Sequence, residues 1–205
     1  MFARPHVSIP FSLLAHIDRG SGMAPAWYRP VQDHARRVAA LANQIALAYG
    51  LRAERRRALV AGALWHDIGK LGVSPAILGK RGPLSGSERA LVRRHPAIGL
   101  RLVRSLDLPA VAARVVYEHH ERWDGGGYPD RIAGRAIAPE AQIVSVADVF
   151  DAMVSERPYK AALPPDEAIG FIVEQRERMF APDILDAALP ILAQRVTALG
   201  PVVSV

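Results

Sequence analysis

His119-His120-Glu121-Arg122-Trp123-Asp124-Gly125-Gly126-Gly127-Tyr128-Pro129 decides how this chain is read. Two adjacent histidines close a segment of helical periodicity, and a glycine-rich turn follows at once. An ordinary helix C-terminus has the same look, because its dipole favours charged histidine and glycine follows readily. The other reading is a binding site in which two imidazoles sit beside a bare loop. The partners supplied by the rest of the chain choose between them.

Working back from the pair, Leu108-Pro109 starts its helix, with Val111, Val115 and Val116 on the apolar side. Before it, His95-Pro96 marks a boundary, since proline disfavours a helical residue ahead of it. The helix predicted from Pro96 carries Ile98, Leu102, Val103 and Leu106. Ser85 or Ser87 with Glu88 opens a helix ending near Arg94, and Ser74-Pro75 starts a short helical turn. A helix over about 53–68 begins basic and exposed, with Arg52, Arg55, Arg56 and Arg57. Its later run, Leu59 to Trp65, is apolar nearly all round and predicts deep burial.

Into that buried end come His66 and Asp67, then Gly69 and Lys70. An aspartate there is costly unless it is paired, hydrogen-bonded or bound to a metal. An Asp–His hydrogen bond at a frayed helix end is the plainer account, but Lys70 adds a third polar group one turn later. The first strong helix spans about 30–49, with Pro30 in its first turn and Gly50 at its end. Val31, Val38, Leu41, Ala42, Ile45 and Tyr49 form its stripe. His34 shares that face, where a lone histidine is more often a satisfied core residue than a ligand. Residues 1–29 read as an irregular segment with a short helix near 11–17 and with His6 and His16 on the surface.

Beyond the glycine turn, 130–138 reads as a loop. A helix follows from Pro139 to about Ser155, with Ile143, Ala147, Phe150 and Val154 inward and one of Asp148 and Asp151 facing the interior. Arg157-Pro158-Tyr159-Lys160 is a basic loop, helices are predicted over about 166–179 and 182–199, and 200–205 is a tail. With no strand pattern and no repeat, the fold class is all-α, one domain over 30–199.

Composition narrows the chemistry. No cysteine occurs in the 205 residues, which excludes disulfides and thiolate metal sites. The formal charge of +6 is spread along the chain, so it reads as a general attraction for phosphate. Without a dense basic tract, direct DNA binding is not expected. No apolar run reaches the length of a membrane span, and the N-terminus makes a poor signal peptide, so a cytoplasmic location is expected.

Collected, His34, His66, Asp67, His95, His119, His120 and Asp148 sit on buried faces or at helix ends of successive helices. Imidazoles and carboxylates without thiolates suit iron, manganese or zinc. Seven ligands exceed one tetrahedral ion and fit a pair of ions about 3.5–4 Å apart, bridged by a carboxylate.

These residues resemble the HD-GYP subgroup of the HD metal-dependent phosphohydrolases. The resemblance rests on His66-Asp67-Ile68-Gly69-Lys70, His95-Pro96 with Gly99, and His119-His120-Glu121 with Asp124-Gly125 and Gly127-Tyr128-Pro129. Ala147-Asp148 with Phe150-Asp151-Ala152, and Arg157 with Tyr159-Lys160, complete it over about residues 30–185. It implies an HD-domain helical bundle with a C-terminal helical extension. It also implies hydrolysis of cyclic di-GMP to pGpG or GMP by a hydroxide activated at a dinuclear metal site. One ion falls to His34, His66, Asp67 and Asp148, and the other to Asp67, His95, His119 and His120. By the same resemblance Asp67 and Lys70 are catalytic, with Lys70 steadying the scissile phosphate, and Tyr128, Arg157 and Lys160 contact substrate. The metals implied are two divalent ions, iron first and manganese next.

The sequence departs from the subgroup at two points. Pro30 stands where some members place a glutamate for a third metal, so two ions are expected. Phe180-Ala181-Pro182 stands where Phe-Asp-Pro is common. The first 29 residues hold no receiver or sensor domain, so regulation is expected from a homodimer, a protein partner or expression. The competing readings are a phosphodiesterase for another cyclic dinucleotide or nucleotide, and a non-catalytic cyclic di-GMP-binding module.

Overall fold

The computed structural model describes residues 29–106, 108–156 and 161–199. The expectations for residues 1–28, including His6, His16 and the short helix near 11–17, lie outside the described residues, as do Arg157, Tyr159, Lys160 and the tail. The described residues form helices α1 (Arg29–Ala48), α2 (Ala53–Trp65), α3 (Pro75–Leu78), α4 (Gly86–Val92) and α5 (His95–Val103). Then come α6 (Ala110–Glu118), α7 (Pro139–Val154), α8 (Pro165–Glu174) and α9 (Pro182–Leu199). Among the described residues no strand forms, and an isolated bridge joins Arg176 to Phe180. The all-α reading holds.

Helix α1 packs on α2, α7 and α9, while α6 packs on α2, α5 and α7. The main core draws Val38, Leu41 and Ile45 from α1, Leu59 from α2, Val115 from α6 and Ile143, Val146 and Phe150 from α7. Helices α8 and α9 close it with Ile172, Ile184, Leu185 and Leu192. Each such apolar side chain contributes about 1.5–3 kcal/mol on burial. Ala181 lies in this core, 1% exposed. A carboxylate there would need a buried partner, so alanine suits the packing this chain uses.

Two expectations change. The run from Leu59 to Trp65 is not buried all round: Leu59 and Ala63 are fully buried, whereas Leu64 is 44% exposed. Helix α2 meets α1, α6 and α7, which leaves a side of it to solvent. The helix also stops at Trp65 rather than Ile68, and the chain turns through His66 and Asp67 into a 3-10 segment, Ile68–Gly72. Ile68, with Val103 and Val116, anchors that turn in a second small core against α5 and α6.

Helix α8 likewise ends at Glu174, short of the expected 179. The chain bends there because the Gln175 carbonyl accepts from the amides of Arg178 and Met179, with Glu177 in the left-handed region at φ 62°. The bend frees the carbonyls of Arg178 and Met179 to accept from the amides of Asp124 and Trp123. The C-terminal extension thereby grips the glycine-rich loop. Helix α4 is capped as its sequence indicates: Ser85 Oγ accepts from the Glu88 amide, and the Glu88 carboxylate accepts from the Ser85 amide.

Candidate functional site

The predicted ligands come from distant places to one spot. His34 projects from α1, His66 and Asp67 from the break after α2, His95 from the first residue of α5, His119 and His120 from the end of α6, and Asp148 from α7. His95 opens its helix instead of preceding it, because Arg94 takes the cap position and the proline falls in the first turn. Two compact groups result, His34 with His66 and Asp67, and Asp67 with His95, His119 and His120. Within each, the candidate ligand atoms lie within 4.8 Å of one another, and Asp67 belongs to both. Asp148 joins through His34, whose Nε2 lies 2.9 Å from Asp148 Oδ1.

Backbone carbonyls fix which nitrogens face inward. His66 Nδ1 donates to the Ala63 carbonyl (2.7 Å), His95 Nδ1 to Val92 (2.9 Å) and His119 Nδ1 to Val116 (3.0 Å). A proton on each Nδ1 leaves each Nε2 as a lone pair pointing into the cluster. His66 Nε2 is buried with no hydrogen-bond partner. His95 Nε2 and His119 Nε2 face each other at 3.2 Å, two lone pairs that repel unless a cation lies against them. The donor set therefore fits divalent metal ions, and an Asp–His hydrogen bond at a frayed helix end does not account for it.

The charges run the same way. Burial favours neutral imidazoles: His119 and His95 fall below the usual histidine range, and His120 falls to about 3. At His34 burial also opposes charge, but hydrogen bonds to Asp148 and Asp151 prevail and raise it to about 9. Asp67 and Asp148 are held well below the carboxylate range despite burial, the first chiefly by Lys70 and the second by His34. The centre thus sets anionic carboxylates beside neutral His95, His119 and His120, the state in which these groups ligate, while the neighbouring carboxylates raise His34 and, against full burial, His66.

Several contributors have no role assigned to them from the sequence. Both Asp148 and Asp151 face inward, where one was expected: Asp151 Oδ2 accepts from His34 Nδ1 at 2.7 Å. Arg37 holds Asp151 with both arms of its guanidinium, at 2.7 and 2.9 Å. In the glycine loop, Glu121 is buried and its Oε1 accepts from the amides of Asp130 (2.7 Å) and Arg131 (3.0 Å). Glu118 accepts from the Ala138 amide at the entrance to α7. A Cβ on Gly127 would stand 2.5 Å from the Arg122 nitrogen, so glycine there permits the loop to fold back on the helix end. The Tyr128 amide donates to the His120 carbonyl (3.1 Å), and its ring stacks on His120 at 4.7 Å and 25°.

A cleft of about 420 Å³ reaches the cluster. Pro30, His34, Arg37, Asp67, Lys70 and Asp151 are among its walls. Lys70 Nζ lies 2.5 Å from Asp67 Oδ2 and is partly exposed to the cleft.

Comparison with known proteins agrees with this architecture. The family model described as HD domain matches residues 24–184. The chain is 42% identical over 155 residues to the cyclic di-GMP phosphodiesterase response regulator RpfG of Xanthomonas campestris pv. campestris, covering 75% of this chain and 41% of that protein. It is 39% identical over 173 residues to the 3'3'-cGAMP-specific phosphodiesterase 3 of Vibrio cholerae, covering 81% and 37%. The fold matches Bd1817, an HDG"Y"P protein from Bdellovibrio bacteriovorus, with a TM-score of 0.66 at 21% identity over 80% of this chain and 52% of that one. The chain spans less than half the length of these curated relatives. With the matched span enclosing every residue of the cluster, the chain belongs to the HD domain family, as its HD-GYP motifs indicate.

Proposed function

We propose that this domain hydrolyses cyclic di-GMP at a phosphodiester bond, giving pGpG and/or GMP. The observation that carries the reading is the division of labour at Asp67. Its Oδ1 lies 3.4 Å from His95 Nε2, and its Oδ2 lies 3.4 Å from His66 Nε2. One carboxylate thus presents an oxygen to each half of the cluster, as a bridge between two cations requires. His34, His66, Asp67 and Asp148 would hold one ion, and Asp67, His95, His119 and His120 the other, iron before manganese. Such ions supply Lewis-acid stabilisation of a phosphodiester and make water more acidic.

The chain's own groups do the rest. Lys70 places an ammonium at the cleft wall, where it orients the scissile phosphate and balances the charge that develops on its oxygens. The buried imidazoles and the carbonyls behind them hold the cluster rigid and exclude bulk water from one side. Arg157 and Lys160 remain substrate contacts by resemblance alone. Hydrolysis adds the elements of water across one P–O3′ bond, leaving a 5′-phosphate and a free 3′-hydroxyl.

Similarity to relatives named for 3'3'-cGAMP makes that dinucleotide the second reading. Both are tested together: protein loaded with iron or manganese is incubated with each dinucleotide, products are separated by chromatography, and metal is counted by elemental analysis. Turnover of cyclic di-GMP with about two ions per chain is expected. Two ions with turnover of 3'3'-cGAMP alone would move the assignment, and tight binding without turnover would make the domain a sensor.

A further inference from the structure

The half-buried ring of Tyr128 already has partners. His120 stacks on it at 4.7 Å, and the guanidinium of Arg93 lies over it, 5.2 Å from the centroid. Two rings and a cation thus lie together, with Tyr128 touching both a candidate ligand, His120, and the exposed Arg93. Arg93 sits in the turn between α4 and α5, two residues before His95, and its side chain is exposed. Among the described residues no carboxylate pairs with it. Elsewhere in the chain Arg37, Arg55, Arg114, Arg122, Arg135 and Arg176 hold carboxylates.

A guanidinium laid on an aromatic face keeps its N–H donors in its own plane, pointing sideways. Its position is set by the ring, so its fork needs little further ordering to take an oxyanion. A cyclic dinucleotide carries two phosphodiesters. The cluster and Lys70 account for the one that is cleaved; the other is an anion that still needs a cation at the rim of the site. We infer that Arg93 is a substrate-binding residue whose guanidinium, seated on Tyr128, grips the phosphodiester that is not being cleaved. This inference rests on the cyclic-dinucleotide reading above.

The test compares wild type with Arg93→Ala, Arg93→Lys and Arg94→Ala, each with its metal content measured. Arg94→Ala removes the same charge one residue on, where the side chain lies over no ring among the described residues. Two substrates are used: cyclic di-GMP, and bis(p-nitrophenyl) phosphate, which has one phosphodiester. Arg93→Ala is expected to raise KM for cyclic di-GMP about tenfold, with kcat changed less than about threefold, the loss of one charge-assisted fork. Arg93→Lys should recover part of the loss, and Arg94→Ala should leave KM near wild type. On bis(p-nitrophenyl) phosphate all four proteins should run alike. An unchanged KM in Arg93→Ala, or an equal fall on both substrates, overturns the role of Arg93 and leaves the functional reading intact. If Arg93→Ala impairs cyclic di-GMP but not cyclic di-AMP as a competitor, the side chain reads guanine and not phosphate, which also overturns the inference. A metal-loaded wild type that cleaves bis(p-nitrophenyl) phosphate and leaves cyclic di-GMP intact overturns the functional reading itself.

Discussion

Gly69→Ala probes whether the 3-10 turn that carries Asp67 and Lys70 is held against α5 closely enough to set the site. A Cβ built on Gly69 stands 1.8 Å from the His95 carbonyl oxygen, 2.6 Å from the Gly99 nitrogen and 2.7 Å from the His95 carbonyl carbon. All three are backbone atoms, so no rotamer change relieves the clash. Real Cβ atoms essentially never come closer than 3.0 Å. Opening the worst contact from 1.8 to 3.0 Å therefore parts turn and helix by more than an ångström. That parting falls directly on the 3.4 Å approach of Asp67 to His95. Overpacking of this kind costs on the order of 3 kcal/mol, and a misplacement of about 1 Å at reacting groups costs on the order of 100-fold in rate.

Gly69→Ala should accordingly keep its helical circular dichroism, melt at lower temperature, bind fewer than two ions per chain and lose at least about 100-fold in turnover. Gly170→Ala in α8 supplies the contrast, since its Cβ meets no heavy atom within 4 Å. It should match wild type in metal and rate, with stability unchanged or raised by up to about 1 kcal/mol. Gly69→Ala protein with wild-type metal content, rate and melting temperature would refute the reasoning.

Asp67→Ala should abolish turnover and lower metal content at both halves of the cluster, because one carboxylate serves both; elemental analysis showing one ion fully retained would argue against a bridge. Arg37→Ala frees Asp151 to swing away from His34 and should weaken the His34 half by about 10–100-fold in metal titration, leaving the His95 half unchanged. Ile68→Ala should cost about 2–5 kcal/mol in denaturant unfolding, since the side chain is fully buried in the small core that anchors the turn. In chelated protein, protonated His34 stabilises the fold below its unfolded pKa of 6.5, and that contribution is lost as pH rises towards about 9. The melting temperature of the metal-free form should therefore fall across that window, by at most roughly 3 kcal/mol of stability at about 1.4 kcal/mol per unit. His66, raised by Asp67 despite burial, adds to the same fall beyond the His34 share, whereas His95, His119 and His120 titrate below the window and leave it alone. His34→Gln should reduce the slope, and a flat wild-type profile would contradict the raised pKa.

The helices and the candidate ligands were legible because both are patterns of residue type. Apolar stripes repeat along one chain segment, and histidine or aspartate entering such a stripe is expensive enough to demand a reason. Glu121 and Arg37 gave no such signal. A glutamate among polar loop residues and an arginine on an exposed helix face look solvated, and their partners are the Asp130 and Arg131 amides and the Asp151 carboxylate, which only the fold brings near. The ends of α2 and α8 were misplaced for a related reason. At each, the break serves an element distant in the chain: the turn of Asp67 towards His95 in one case, and the grip of residues 178 and 179 on the glycine loop in the other.

The glycines sharpen the point. In the sequence Gly69, Gly99 and Gly127 read as parts of motifs or as chain breakers. In space they mark where backbones touch: Gly69 lies against His95 and Gly99, Gly99 against Val116, and Gly127 against His120 and Glu121. Each contact joins a segment carrying a candidate ligand to another such segment or to the small core beneath it. The ligands come from five separate segments, so their spacing has to be set by whatever holds those segments together. Side-chain packing holds helices at about 8–10 Å between axes, too far for short imidazole and carboxylate arms to meet from every side. Close backbone approach at glycine brings them nearer. The glycine inside His66-Asp67-Ile68-Gly69-Lys70 is therefore as much a part of the site as the ligands, although it offers no atom to a metal.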